Sequence, residues 1–77
     1  MKYDTLLDLR GIPCPRNTAK ALMYLEVQDN DSISMIIIDD GEPVLNFEES
    51  LELEPSYEIK HKEQNESAWN LYILKKD

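Results

Sequence analysis

The stretch Leu7-Asp8-Leu9-Arg10-Gly11-Ile12-Pro13-Cys14-Pro15-Arg16-Asn17 decides the reading of this chain, because it passes from a strand pattern through two breakers into a helix. Thr5 to Leu9 reads as a short strand, ended by Gly11 and Pro13. Pro15 opens the first helix, since a proline at the first helical position loses no hydrogen bond. On that reading Cys14 is the N-cap, and the N–H groups of Arg16 and Asn17 point at its sulfur. Such a setting favours a thiolate over a thiol.

Cys14 is the chain's one cysteine, with Asn17 three positions on, so a CxxC dithiol cycle is excluded. A single exposed thiolate attacks a substrate or carries a group for another molecule to remove. The competing reading, a small buried hydrophobe, fits poorly between two prolines and close to Arg10 and Arg16.

From Pro15 to about Val27, Ala19, Leu22, Met23 and Val27 recur at helical spacing, with Asn17, Lys20, Tyr24 and Gln28 on the other side. Met23 is expected in the core. Asp29 to Ser32 is a turn, and Ile33 to Ile38 is β-branched and apolar enough for a central strand. Asp39 and Asp40 precede Gly41 and Pro43 and read as caps of a second helix, whose inner face is Val44, Phe47 and Leu51 and which ends before Pro55. Tyr57 to His61 alternates at period two, and Trp69, Leu71 and Ile73 alternate again after the polar stretch Glu63 to Ser67, predicting a terminal hairpin. The order β-α-β-α-β-β over residues 1–77 predicts a single α/β domain, with two helices on one face of a four-stranded sheet.

A net charge of −8 argues against direct nucleic-acid binding and against an anionic membrane. Between Glu26 and Glu58 there are eleven acids and no base, a solvated face or a docking surface. Arg10, Arg16 and Lys20, by contrast, lie around the thiol. No run approaches the apolar length of a membrane span, the first residues lack a signal-peptide pattern, and no disulfide is possible within one chain, so the expected compartment is the cytoplasm. No cofactor or metal is assigned, because His61 has no second histidine or cysteine near it in sequence.

With the thiol, Leu9-Arg10-Gly11, Pro15 and the element order in hand, the chain resembles the TusA/SirA-like family of sulfur-carrier proteins. The specific part is L-D-L-R-G-x-x-C-P at residues 7 to 15, with the Asp39-Asp40 pair. The family pattern CPxP is broken here, because Asn17 replaces the second proline. The resemblance implies a two-layer sandwich with a mixed sheet in the order 1-2-4-3, strand 4 antiparallel to the others. It also implies a sulfurtransferase-like relay, in which Cys14 takes persulfide sulfur from a desulfurase or rhodanese-type donor protein and passes it to an acceptor protein. Arg10, Pro15, Arg16, Asn17 and Lys20 are the residues expected to support the thiolate or dock those partners. A non-catalytic interaction module of the same fold, motivated by Asn17, and a peroxide-sensing thiol are the alternatives.

Overall fold

The computed structural model describes residues 2–76, and its elements are β1 (Thr5–Asp8), α1 (Arg16–Glu26), β2 (Ile33–Asp39), α2 (Glu42–Glu52), β3 (Tyr57–Asn65) and β4 (Ala68–Lys75). The sheet order is β1-β2-β4-β3. β1 runs parallel to β2, and β4 runs antiparallel to both β2 and β3. The mixed sandwich and its 1-2-4-3 order are therefore as expected. Right-handed crossover geometry makes this arrangement economical: each helix returns the chain across one face of the sheet before the next strand.

β2 carries the centre of the core. Ile36 and Ile38 are fully buried and stand opposite Leu71 and Trp69 of β4, so these residues share the helix-facing side. Ala21 and Leu25 from α1, and Val44, Phe47 and Leu51 from α2, close over them. The α2 face is the one its spacing predicts, and Pro43 lies in its first turn, where the missing N–H leaves no helical hydrogen bond unmade.

The phase of α1 differs from the expectation. Its buried residues are Asn17, Ala21 and Leu25, whereas Met23 and Val27 are 69% and 78% exposed and Ala19 also faces out. A polar residue and a small one weaken the true stripe, so the neighbouring set with Leu22, Met23 and Val27 carries more hydrophobicity and misleads a periodicity argument. Asn17 itself is fully buried. Its Oδ1 accepts from the Thr18 N–H at 2.7 Å, but its Nδ2 has no partner. An unpaired buried amide costs about 1–3 kcal/mol. Asn17→Leu, which keeps the branched shape, is expected to raise stability by about 1 kcal/mol or more after the loss of the Thr18 contact. Urea unfolding checks this, and a lower midpoint would show that the site needs a polar side chain.

The hairpin is longer than the alternation suggests, because the polar stretch is itself strand. β3 continues to Asn65, and Glu66, with φ of 59°, makes the tight turn into β4. A bulge between Ile59 and His61 breaks the period-two pattern. Ile59 stands opposite Ile73 on the helix side, while His61 stands opposite Tyr72 on the open side, their ring centroids 5.5 Å apart. The Tyr72 hydroxyl donates to Glu63 at 3.2 Å, which holds the Glu63 carboxyl below its ordinary range.

Candidate functional site

The chain leaves the sheet under tight control before it reaches the thiol. The Leu9 N–H donates to the Ile37 carbonyl at 2.7 Å, and the buried Leu9 side chain fixes the end of β1 in the core. Arg10 then folds back on Asp8 in a forked pair, with its closest approach at 2.7 Å. Hydrogen bonds from the Arg10 side chain hold the Asp8 carboxyl below its usual range, and Asp8 raises the guanidinium in return. Gly11, at φ of 81°, turns the chain in a conformation that a side chain would strain, and its N–H donates to Asp39 at 2.8 Å.

Asp39 therefore acts as a brace between β2 and the thiol loop, not as a helix cap. Asp40 accepts the Trp69 indole N–H at 2.7 Å, and α2 is preceded by Gly41 with no side-chain cap. Asp39 is used in holding the Gly11 loop and Asp40 in holding Trp69 of β4 and Gln64 of β3, because the chain that reaches α2 turns through Gly41 at φ of 93° and carries their side chains elsewhere.

Cys14 lies half-buried one position before the cap of α1, and the Cys14–Pro15 peptide bond is cis. Here the sequence-based expectation is corrected: Pro15, not Cys14, is the N-cap residue. The Asn17 N–H donates to the Pro13 carbonyl at 3.1 Å, the Thr18 N–H to Asn17 Oδ1, and the Ala19 N–H to the Pro15 carbonyl. These first-turn donors are committed to oxygen atoms, so the Asn17 amide does not hold the sulfur. Carbonyl oxygens are stronger acceptors than sulfur, and the loop supplies one at the right place.

A different residue meets the thiol. Asn46 of α2 directs its Nδ2 at Cys14 Sγ, 3.6 Å away. The contact joins residues 32 apart in sequence, and it exists because α1 and α2 pack side by side above the sheet. The only local sign of it is an asparagine in a helix interior, where that residue is a poor helix former and requires another reason to be present.

The two helices bound an open groove of about 520 Å³ that runs away from this contact. Pro15, Ala19 and Leu22 form one wall, and Asn46, Ser50 and Leu53 the other. Of the expected supporting residues, Pro15 lines this groove and Asn17 lies beneath it in the core. Arg10 is occupied by Asp8. Arg16 and Lys20 are exposed and make no ion pair among the described residues. With Met23 and Val27 they form one stripe along the outer side of α1, at the i, i+4, i+7, i+11 spacing of a single helix face. Arg16 begins a helix whose first turn holds no acid, so its charge stands against the helix dipole.

Among the described residues no group of three or more His, Cys, Asp or Glu side chains is placed to hold a metal ion, and no helix is long and apolar enough to cross a membrane. His61 is exposed, on the far side of the sheet, with its Nε2 3.5 Å from Glu63. Chemically, the arrangement offers one accessible sulfur, a neutral amide donor directed at it, and two cations on the helix that follows with no ion pair among the described residues. Compared with known proteins, the chain matches no family model, and no curated protein matches it in sequence.

Proposed function

We propose that this protein is a sulfur carrier that relays persulfide sulfur through Cys14. The observation that carries this reading is the thiol's setting: Cys14 is reachable from solvent and accepts a hydrogen bond from Asn46, in a chain that has no second cysteine to consume it. The resemblance of residues 7 to 15 to the TusA/SirA-like pattern, and the agreement of the whole element order with that family's, add to it. In the loading step the Cys14 thiolate attacks the outer sulfur of a donor protein's persulfide. A new S–S bond forms at Cys14 while the donor's own S–S bond breaks, and the donor's inner sulfur leaves as a thiolate. An acceptor thiolate then attacks the outer sulfur on Cys14 and returns the thiolate. No net oxidation occurs in either step.

Arg16 and Lys20 are the docking charges in this reading, with Met23 and Val27 as the apolar part of the same face. Incubation with a cysteine desulfurase, its pyridoxal phosphate and sulfur-labelled cysteine tests the proposal. Label retained by the chain and released by a thiol reductant is expected, and label that stays equally on Cys14→Ser would refute it. The loading rate is expected to fall as salt rises from about 0.1 M to about 1 M, over which the screening length drops from about 10 Å to about 3 Å. Arg16→Glu should slow loading and flatten that salt dependence. A rate indifferent to both changes would remove Arg16 from the docking surface.

A further inference from the structure

We infer that Asn46 holds the sulfur anion of Cys14, so that the second helix contributes to setting the reactivity of the thiol. The first-turn N–H groups of Asn17, Thr18 and Ala19 are spent on the Pro13 carbonyl, on Asn17 Oδ1 and on the Pro15 carbonyl. Asn46 Nδ2, at 3.6 Å, is the donor that reaches Sγ. A hydrogen bond to an ionised acceptor is about twice as strong as one to a neutral acceptor. The Asn46 amide therefore favours the thiolate over the thiol, and favours a bound persulfide anion in the same way if its charge lies within reach.

Helix energetics give independent support. Asn46 occupies the interior of α2 between Leu45 and Phe47, and its side chain is exposed and spans no other element. Alanine is the better helix former there. A residue kept against local preference, with a single directed contact at a nucleophile, fits a role in chemistry better than one in folding. The nearest ionisable group on the same groove wall is Glu49, one turn further along α2, and it works against an anion at Cys14. Asn46 thus supplies a donor on a wall whose one charged residue is an acid.

The inference rests on Cys14 acting as an anion, as the carrier reading requires, but its test needs no sulfur donor. Alkylation of Cys14 by iodoacetamide, a neutral reagent, is followed across pH in the parent chain, Asn46→Ala and Asn46→Asp. Near neutral pH, Asn46→Ala is expected to react about three- to tenfold more slowly than the parent. Asn46→Asp, which replaces the donor with a carboxylate, should be slower still by about tenfold. In both variants the rise in rate moves to higher pH, and the deficit closes where every thiol is ionised, since a less stabilised thiolate is intrinsically no weaker a nucleophile. Thermal unfolding of Asn46→Ala should occur no lower than in the parent. Equal rates at all pH values, or a deficit that persists unchanged at high pH, would overturn the inference. Altered alkylation profiles without sulfur loading would refute the carrier reading alone. Loading with unaltered profiles would refute the Asn46 role alone.

Discussion

Phe47→Ala is expected to remove about 3–5 kcal/mol of folding stability, the usual cost of deleting a fully buried aromatic ring from a core. Phe47 is completely enclosed and is the largest side chain buried to that degree. It belongs to the same buried cluster as Ile36, Ile38, Leu71 and Ile73, so its ring joins α2 to the middle of the sheet. A domain of 77 residues has about 4–11 kcal/mol in all. The urea midpoint should therefore fall by at least about a quarter, and by all of it if the total lies at the low end of that range. A change under about 1 kcal/mol would mean that α2 is not seated as described. The consequence reaches the thiol, because Asn46 is the neighbouring residue on α2 and meets Cys14 only when that helix is docked.

The second large effect is chemical. Cys14→Ser is expected to abolish sulfur loading entirely while leaving the unfolding midpoint within about 0.5 kcal/mol of the parent. The expectation of unchanged stability rests on position: Cys14 is half-buried on a loop, its side chain caps no helix, and its one polar partner is an exposed amide. Had Cys14 been the N-cap, serine would have been the better residue and the variant would have gained stability. With Pro15 in that place, no gain follows. A loss of several kcal/mol on thermal unfolding would show instead that the thiol is a packing residue, and the chemical reading would fail with it.

Where the sequence was legible, the signals were long and mutually consistent. The β-branched run Ile33 to Ile38 reads as a central strand, and Val44, Phe47 and Leu51 follow one helical face without competition, so β2 and α2 came out as expected, while the sheet order is the one the family resemblance implied and not one these patterns dictate. In α1 two candidate faces compete, and the heavier one by hydrophobicity faces solvent because Asn17 lies in the true stripe. The bulge at Ile59/His61 hides for a similar reason: one inserted residue moves every later side chain of β3 to the opposite face, and no local residue preference announces it.

The site was legible only in its local part. The thiol, its flanking prolines and the run of bases lie together along the chain, so they could be read from it. Which donor reaches the sulfur depends on how two helices pack, and Asn46 is distant in sequence. The roles of Asp39 and Asp40 escaped in the same way, since an aspartate before a helix looks like a cap until the loop it braces, at Gly11, or the indole it receives, at Trp69, is brought beside it in space.

Intact-mass measurement through one full cycle tests the central claim most directly. The chain is loaded by a cysteine desulfurase with pyridoxal phosphate and cysteine, separated from the donor, weighed, exposed to an acceptor thiol and weighed again. The account predicts a gain of one sulfur atom per chain at Cys14, complete return to the starting mass after the acceptor, and no gain in Cys14→Ser. No added sulfur on the parent chain under conditions where the desulfurase is active, or a sulfur that the acceptor thiol cannot remove, would contradict it.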